Sequence, residues 1–579
     1  MKFLLVGINS KYIHSNPAIH YLKEYAGKKY EDCIELAEYT INNLKEEILA
    51  DIYKRNPDVI GISCYIWNFS LVQELLIEIP KILPGREIFL GGPEVSFEGE
   101  QVLNDFSMVT GIIVGEGEAT FRELLAFYRQ NERACTGLTK ISGLLLRVGF
   151  TGPREELILD DLPFLYDNLK EYENRIIYYE TSRGCPFQCI YCLSSVDKKV
   201  RLRSMDKVKQ ELQFFLDHKV PQVKFVDRTF NCNYEHAMEI WRYIKDHDNG
   251  VTNFHFEVAA DIMTQEQLEV LSDMRPGLTQ LEIGIQTTND KTLHAINRYV
   301  NTAHIAQVVA SLREKENIHI HLDLIAGLPF EDYESFGHSF DEVYDMEPEQ
   351  LQLGFLKVLK GSPMFYLAEK YGVVYQSKPP YEVLYTNWLS YGDVLKLKQI
   401  EEMVEIYYNS NQYRATLRLL RKNFVGPFAM FEALAEYYER EGYFKNTPAR
   451  SYRYQLLLDF ACEADEEKEE LYRELLTYDY YLRENAKSRP SFARDLSEYH
   501  DRIWEFYRGE EEAPDILQDY RDYHAKQTLK MTHMEVFFYP VWQEEAEKIC
   551  KRSETPQLML FDYQVRNPLN QDAKTVLIS

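Results

Sequence analysis

The sequence predicts an α/β protein in three parts. We expect a doubly wound (Rossmann-like) parallel sheet over residues 1–150, a partial (β/α)6 barrel over residues 176–375 and a mainly helical C-terminal domain over residues 376–579. Short apolar strands alternate with helical segments in the first two parts, and glycine-rich turns follow several strands. After residue 376, Tyr, Glu, Arg and Leu recur at helical spacing. Residues 151–175 are expected to be a linker, because Asp160 to Pro163 interrupts regular structure.

The composition is that of an ordinary globular protein. The 579 residues carry a net charge of −27, and this length suggests three or four domains. The acidic balance argues against nucleic acid as a partner, since that requires clustered Lys and Arg. No run of eighteen apolar residues is present, and the apolar start of the chain is too short for a signal peptide. We therefore expect a cytoplasmic protein that does not associate with membranes.

Four buried strands and two helices define the N-terminal part. The strands are predicted at 3–6, 58–63, 87–90 and 112–114, and the helices at 16–27 and 68–83. The third and fourth strands lead into Gly91-Gly92 and Gly115-Glu116-Gly117. In a doubly wound sheet, ligands bind beyond the carboxyl ends of the strands, where small residues allow close approach of the backbone.

The second part contains six candidate strands, at 176–181, 223–230, 253–259, 280–287, 319–327 and 350–358. Three of them alternate between an apolar and a polar face. The polar faces carry His255 and Glu257; Glu282, Gly284 and Gln286; and His319, His321 and Asp323. We expect the apolar faces to meet the helices and the polar faces to line an open lumen that holds ligands. The alternatives are residues at the barrel rim or a structural polar network.

The C-terminal part shows no chemical motif. Its charge runs are expected to form solvated helix faces, and its many tyrosines to pack helices rather than to stack on a substrate. Residues 557–563 are predicted to form a lone strand.

Cysteines supply the most specific signal. Six of the nine are scattered and suggest no disulfide framework: Cys33, Cys64, Cys135, Cys232, Cys462 and Cys550. Cys185, Cys189 and Cys192 follow the first barrel strand with C-x3-C-x2-C spacing. Three thiolates can bind three irons of a [4Fe-4S] cluster and leave the fourth iron open to a substrate or cofactor. The alternatives are zinc, which takes four ligands in a structural site, and three unrelated buried cysteines.

This motif, with Tyr191 before its last cysteine, resembles the signature of the radical S-adenosylmethionine (SAM) superfamily. The resemblance implies a partial (β/α)6 barrel in which the open iron binds the amino and carboxylate groups of SAM. An electron from the reduced cluster would then cleave the sulfonium to give a 5′-deoxyadenosyl radical. It also implies an external electron donor such as flavodoxin or ferredoxin.

The same resemblance assigns residues to SAM. Asp227 lies where the family meets the methionine amino group, although the usual Gly-Gly-Glu is absent. Gln286 corresponds to a ribose contact, Ala326 and Gly327 to a segment packing on adenine, and Tyr191 to a second adenine contact. Glu257 is assigned to this site from its position on the polar face.

The N-terminal part resembles the cobalamin-binding domain of cobalamin-dependent radical enzymes. The similar segments are 57–63, 90–93 and 114–118. They imply that cobalamin contacts Ser63, Gly91, Gly92, Gly115 and Glu116. The Asp-x-His-x-x-Gly motif is absent, and neither His14 nor His20 fits it, so cobalt would have no protein imidazole. The alternative is a degenerate domain that binds another ligand or none.

These resemblances imply cobalamin-dependent methylation of an unactivated carbon of a small-molecule or peptide substrate. A radical cyclisation or rearrangement without methyl transfer is a second hypothesis, and a cluster- or corrin-binding sensor without catalysis is a third. A methylthiotransferase is less favoured, because Cys33, Cys64 and Cys135 are too widely spaced for further clusters. No catalytic side chain and no role for the C-terminal domain can be assigned from the sequence.

Overall fold

The structure is a computed structural model that describes residues 1–131 and 137–578, so Cys135 lies outside the described residues. It confirms the predicted fold class. A seven-stranded sheet is followed by a six-stranded parallel half-barrel and a mainly helical C-terminal part.

The N-terminal sheet has the order β2-β1-β3-β4-β5-β6-β7. The first five strands are parallel, and the last two are added antiparallel at one edge. Its strands are β1 (Phe3–Asn9), β2 (Ile34–Thr40), β3 (Val59–Ser63), β4 (Glu87–Gly91), β5 (Val109–Ile113), β6 (Leu144–Leu146) and β7 (Gly149–Phe150). Its helices are α1 (Pro17–Ala26), α2 (Lys45–Arg55), α3 (Phe69–Ile82), α4 (Pro93–Ser96), α5 (Gly99–Asp105) and α6 (Glu118–Asn131).

Alternate residues of β1 serve two separate cores. Leu4 and Val6 pack with α2 and α3 on one face, whereas Phe3 and Leu5 pack with α1 and α6 on the other. This double burial is why the strands have continuous apolar runs. The edge strand β2 was not predicted, because only two of its residues are buried and its charged residues hide the pattern.

The half-barrel has the order β15-β14-β13-β12-β11-β8, all parallel, and β15 and β8 do not pair with each other. Its strands and the flanking hairpin are β8 (Ile177–Tyr179), β9 (Ser182–Arg183), β10 (Arg201–Leu202), β11 (Gln222–Phe225), β12 (Asn253–Val258), β13 (Thr279–Gln286), β14 (His319–Ala326) and β15 (Gln350–Phe355). Its helices are α7 (Met205–Asp217), α8 (Tyr234–Asp246), α9 (Gln265–Ser272), α10 (Asp290–Ala295), α11 (Thr302–Arg313) and α12 (Tyr333–Tyr344).

Three strand predictions were clearly too long. The strand expected at 176–181 is limited to Ile177–Tyr179. The strand expected at 223–230 ends at Phe225, and the one expected at 350–358 ends at Phe355. Residues 226–229 instead form a loop at the carboxyl end of β11.

The segment 151–175 is not a free linker. It has only two short helical turns, but Leu159, Leu162, Tyr166 and Tyr172 are buried in the barrel core. The segment therefore connects the two parts while its apolar side chains pack into the barrel core.

The C-terminal part follows a short connecting region of α13 (Pro363–Leu367), β16 (Val374–Tyr375) and β17 (Val383–Tyr385). Its helices are α14 (Tyr391–Met403), α15 (Arg414–Leu420), α16 (Pro427–Arg440), α17 (Arg450–Ala464), α18 (Glu469–Arg483), α19 (His500–Glu512), α20 (Ala525–Met531) and α21 (Ala546–Ile549). An antiparallel sheet consists of β18 (Thr532–Phe537), β19 (Gln557–Arg566) and β20 (Ala573–Ile578).

Two sequence expectations for this part have different outcomes. The strand at 557–563 is not alone, because β19 is the central strand of that sheet. Tyrosines do pack the helices: Tyr407, Tyr438, Tyr454 and Tyr472 are buried in the core shared with the barrel.

The C-terminal part also covers an edge of the half-barrel. Asn409, in a π-helical turn after α14, accepts a hydrogen bond from the Leu351 backbone N–H and donates one to its carbonyl, both at 2.9 Å. The side-chain amide thus replaces a neighbouring strand at β15 and protects an otherwise open edge.

Within the described ranges, each helix is too short or too polar to cross a lipid bilayer.

Asp479 on α18 is expected to hold the start of α15. Its carboxylate accepts hydrogen bonds from the backbone N–H groups of Ala415 (3.0 Å) and Thr416 (2.9 Å) and from the Thr416 hydroxyl (2.7 Å). Asp479→Ala leaves these buried donors unpaired and should destabilise the C-terminal part by about 2–3 kcal/mol. Urea unfolding followed by circular dichroism measures this. The exposed Asp459→Ala on α17 should change stability by less than about 0.5 kcal/mol; equal effects would contradict the assignment.

Candidate functional site

Two adjoining cavities lie at the carboxyl ends of the two parallel sheets. We call the one above the N-terminal sheet, of 720 Å³, the sheet cavity, and the one inside the half-barrel, of 520 Å³, the barrel cavity. Both fall within the size range of small-molecule sites. Of the described residues, one lines both cavities, and it is Arg228.

The sheet cavity contains all five residues assigned to it from the sequence: Ser63, Gly91, Gly92, Gly115 and Glu116. It continues downwards as an apolar slot between the sheet and the helices α1 and α6. The slot is lined by Phe3, Leu5, Ile19, Val59, Phe89, Ile113, Phe121 and Leu124. The site is therefore a deep space with an apolar interior and a mouth of glycines.

The glycines of the mouth have physical reasons to be glycine. Gly92 has φ 109°, and a side chain there would collide with the Cys64 carbonyl. Gly115 has φ 76°, a left-handed conformation that other residues rarely adopt. Tyr65 also lines the cavity and stacks on Trp67, with ring centroids 4.4 Å apart.

The carboxylate of Glu116 is hydrogen-bonded to other residues of the protein. It accepts hydrogen bonds at 2.8 Å from both Arg183 and Arg201 and one at 3.0 Å from the Leu157 N–H. Burial opposes its charge, but the bonds from Arg201 and Arg183 outweigh burial and lower the pKa of Glu116 to about 2. Glu116 thus lines the cavity, yet its carboxylate joins the sheet to the barrel.

Arg183 completes this junction. Besides Glu116, its guanidinium binds Glu118 at 2.8 Å and Glu180 at 3.0 Å. Arg183 stands two residues before Cys185. We call Arg183, Arg201, Glu116, Glu118 and Glu180 the interdomain clamp.

The cysteines of the C-x3-C-x2-C motif all line the barrel cavity, together with Tyr191. Their loop is tied down by backbone hydrogen bonds from Cys185 to the Asp197 carbonyl (2.9 Å) and from Ile190 to the Ile296 carbonyl (3.0 Å). Gly184, with φ 95°, has no room for a side chain beside the Lys199 carbonyl. The sequence therefore fixes a compact turn that points three thiols into one cavity.

The polar strand faces also line this cavity, through Glu257, Glu282, Gly284, Gln286 and Asp323. Deeper in the lumen, Glu282 pairs with Lys224 at 3.1 Å and with His255 at 3.0 Å. A second pair joins His321 to Asp323 at 3.1 Å. The polar face thus forms both a ligand wall and, below it, the structural network that was the alternative.

Two lumen carboxylates differ in protonation. Burial raises the pKa of Glu257 to about 7. Burial acts in the same direction on Glu282, but the His255 hydrogen bond and the Lys224 charge outweigh it and lower its pKa to about 2. Glu257 is therefore the one of this pair that can exchange a proton near neutral pH.

Three residues assigned to SAM from the sequence do not line the barrel cavity. Asp227 is 1% exposed, and it accepts hydrogen bonds from the Thr181 N–H (3.0 Å) and hydroxyl (2.5 Å), which leaves it outside the lining of the barrel cavity. Ala326 is buried at the end of β14, and Gly327 packs against Val383, with a Cβ position 2.7 Å from its methyl group. These three assignments stay predictions. In the structure β11 is shorter than the sequence predicts, and β17 covers the end of β14.

Sequence reasoning missed two arginines in the cavities. Arg298, just beyond α10, directs Nη1 to the Cys189 sulfur at 3.7 Å and donates a hydrogen bond to the Gly284 carbonyl. Arg228 lies on the loop after β11. Neither belongs to a local pattern, so only the tertiary structure brings them to the site.

Family models match this chain in the order of its parts. Residues 4–125 match the model of a B12 binding domain, and residues 179–343 match that of the radical SAM superfamily. The chain therefore carries a B12 binding domain followed by a radical SAM domain. Residues 369–561 match a family described as a protein of unknown function (DUF4080).

Two curated relatives are methyltransferases. The chain is 26% identical over 360 residues to 2-(S-pantetheinyl)-carbapenam-3-carboxylate methyltransferase of Streptantibioticus cattleyicolor, covering 58% of this chain and 50% of that protein. It is 25% identical over 335 residues to the cobalamin-dependent radical SAM methyltransferase TokK of Streptomyces tokunonensis, covering 53% and 48%. The chain thus spans about half the length of these relatives.

Solved structures share the fold. The cobalamin-dependent SAM radical enzyme OxsB, with aqua-cobalamin and SAM bound, aligns with a TM-score of 0.54 at 16% identity, over 83% of this chain and 79% of that one. The methyltransferase TsrM from Kitasatospora setae, with cobalamin and a [4Fe-4S] cluster, aligns with a TM-score of 0.52 at 16% identity, over 65% and 76%.

The residues present fit the cofactors that these domains imply. Cys185, Cys189 and Cys192 line a single cavity, which suits a cluster in which each of them binds a different iron. Gln286 Oε1 is buried without a hydrogen-bond partner, as an acceptor awaiting a ligand hydroxyl would be. The glycine mouth and apolar slot fit a large, partly apolar cofactor.

Replacing Cys185, Cys189 or Cys192 by Ala should remove the iron–sulfur absorbance of the anaerobically reconstituted protein, because each thiolate holds one iron. Cleavage of SAM should disappear with it. Cys462→Ala and Cys550→Ala, distant from the cavity, should keep both. A full cluster in any of the first three variants would refute the ligand assignment.

Glu116→Gln should weaken the interdomain clamp. Loss of its charge-assisted bonds is expected to cost about 1–3 kcal/mol. Because the native pKa of Glu116 is lowered to about 2, its stabilisation is complete above the ordinary carboxyl pKa of about 4 and is lost as pH falls towards 2.

The penalty in urea midpoint should therefore be equal at pH 6 and pH 8 and should shrink below pH 4. Glu123→Gln, which removes a partner of Arg154 at the surface of α6, serves as the control with little effect. A penalty that grows on acidification would contradict this electrostatic account.

Proposed function

We propose that the protein is a cobalamin-dependent radical SAM methyltransferase acting on an unactivated carbon of a small-molecule or peptide substrate. The observation that carries this proposal is the meeting of the sheet and barrel cavities at Arg228. Two cofactors bound in these cavities would open onto the same space. A single substrate carbon there could be reached from both sides.

When bound, the cluster with SAM supplies a 5′-deoxyadenosyl radical, and cobalamin supplies a methyl carrier. The chain binds and orients these groups. The three cysteines hold the cluster in the barrel, and the interdomain clamp holds the sheet cavity against it.

Arg298 is the residue best placed to bind the carboxylate of SAM. Its guanidinium lies beside Cys189, its Nε is buried without a hydrogen-bond partner, and it lines the barrel cavity. A buried planar cation next to the cluster suits a carboxylate that chelates the open iron. Gln286, through its unpaired Oε1, would accept a hydrogen bond from a ribose hydroxyl of SAM. Tyr191 and Glu257 complete the proposed contacts with SAM.

The sheet cavity would hold cobalamin with its glycine mouth. The apolar slot between the sheet and α1 and α6 would receive the aromatic base of the nucleotide tail, away from cobalt. Among the described residues that line this cavity there is no histidine. His14 instead contacts the Tyr178 hydroxyl at 2.5 Å, and His20 contacts Glu38 at 2.8 Å. We therefore expect base-off cobalamin without a protein imidazole.

The proposal includes an external electron donor of the flavodoxin or ferredoxin type, since the chain must receive electrons to reduce its cluster. It also includes a cytoplasmic location. The cysteines of the described residues are all free thiols, as is usual in a reducing compartment.

Gly91→Leu tests the function through the sheet cavity. Gly91 shares a face of β4 with Phe89, has no positive φ, and has room for a Cβ, whose nearest neighbour is Ile113 at 3.7 Å. The variant should therefore fold, and its leucine side chain should fill the mouth of the sheet cavity. The wild type should retain about one base-off corrin per chain, whereas the variant should lose it and keep the cluster. Gly92 is unsuitable, since any side chain there strains the backbone.

Products are measured with SAM that carries a deuterated methyl group. The wild type should form 5′-deoxyadenosine and S-adenosylhomocysteine, and the variant only the former. Gly509→Leu, in open space on α19, is the control and should match the wild type. A wild type that forms 5′-deoxyadenosine but neither binds corrin nor transfers methyl would sink the proposal. Corrin binding without methyl transfer would favour cyclisation or rearrangement, and no SAM cleavage would favour a sensor.

A further inference from the structure

Arg228 stands at the place where the two cavities join. It is exposed and lines both of them. Burial raises the pKa values of Tyr65 in the sheet cavity and of Glu257 in the barrel cavity, and the charge of Arg228 opposes both shifts. A side chain in this position faces the space between the two cofactors, which is where a substrate has to lie.

The loop that carries Arg228 is rigidly anchored on both sides. Asp227 is held by Thr181, whose hydroxyl also contacts His236 Nε2 at 2.9 Å. Asn231 exchanges two hydrogen bonds of 2.9 Å with the backbone of Ala259. A buried polar network of this kind fixes the backbone of a loop. Through its bonds to Thr181, Asp227 fixes the position of the residue next to it.

Arg228 differs from the other cations around the cavities. Arg183 and Arg201 are paired with carboxylates of the interdomain clamp, and Arg298 contacts Cys189 and Gly284. Arg228 makes neither an ion pair nor a hydrogen bond with any described residue. In a chain of net charge −27, the Arg228 guanidinium is thus available to an anion at the junction of the two cavities.

We propose that the substrate carries an anionic group, a carboxylate or a phosphate, and that Arg228 binds it. The proposal rests on the proposed function. A guanidinium offers a planar pair of donors that matches either group. The carboxylate of SAM is already accounted for by Arg298 near the cluster. The peripheral groups of the corrin are neutral amides, and the phosphodiester of cobalamin belongs to the nucleotide tail, which the proposed function places towards the apolar slot and away from this junction. The substrate is the remaining source of negative charge in this space.

The test uses the full chain loaded with cluster, cobalamin and methyl-deuterated SAM under a chemical reductant. The probe is a small-molecule extract of the cells that make the protein, divided on an anion exchanger into retained and unretained fractions. Formation of 5′-deoxyadenosine and of deuterium-labelled product is measured for wild type, Arg228→Gln, Arg228→Lys and the exposed control Arg508→Gln.

We expect the retained fraction to stimulate the formation of 5′-deoxyadenosine by the wild type and by Arg508→Gln. Both proteins should also form a deuterium-labelled product from it. Arg228→Gln should lose this stimulation by about ten- to a hundredfold, the range for one charge-assisted bond. Arg228→Lys should keep part of it. Phosphatase treatment of the retained fraction separates the sources: a phosphate ester loses activity and a carboxylate keeps it.

Three results would overturn the inference. They are stimulation by the unretained fraction alone or by neither fraction, stimulation of Arg228→Gln equal to wild type, and loss of bound cobalamin or SAM in Arg228→Gln before any substrate is added. The last would make Arg228 a cofactor contact. Failure of the proposed function looks different, because the wild type would then form neither 5′-deoxyadenosine nor labelled product.

Discussion

The interdomain clamp is the interaction on which the rest of the site depends. Arg183 lies two residues from a cluster ligand and binds Glu116 and Glu118 beyond β5 as well as Glu180 beyond β8. A largely buried guanidinium is costly unless its hydrogen bonds are satisfied, and here three carboxylates satisfy it. The clamp therefore sets the distance and angle between the two cavities, and with them the geometry of any transfer between two cofactors.

Two residues that line the barrel cavity keep a buried polar atom without a hydrogen-bond partner. These atoms are Gln286 Oε1 and Arg298 Nε. Atoms of the same kind also occur away from the cavities, for example in Trp241 and Tyr454. What distinguishes Gln286 and Arg298 is their place on a cavity of 520 Å³, where a ligand can supply the missing partner. Arg228 differs from both, because it is exposed at the junction of the two cavities.

Alternation was sufficient to predict the layers. The cysteine spacing, together with the radical SAM resemblance, predicted a cluster site, and the structure brings the three cysteines to one cavity. The apolar runs of β1 and β3 follow from burial on both faces, and the period of two in β12 to β14 correctly separated helix-facing from lumen-facing residues. The glycine turns at Gly92 and Gly115 marked the sheet cavity, because a turn with positive φ or close backbone approach leaves a local signal. The family models then confirmed both domain types.

What the sequence by itself determined is local: the strand faces, the cluster loop and the glycine mouth, each encoded within a few residues. Only the tertiary structure decided the use of single charged residues, because their partners are distant in the chain. Glu116 binds Arg183, which lies 67 residues further along the chain. Asp227 binds Thr181, which is 46 residues away. Arg228 lies between the two cavities without an ion-pair partner. Likewise β19 found two antiparallel neighbours that no local pattern specified. Pairing between distant residues depends on how whole elements pack. The periodicity of a segment shows which of its faces is buried, but it does not specify the element that packs there.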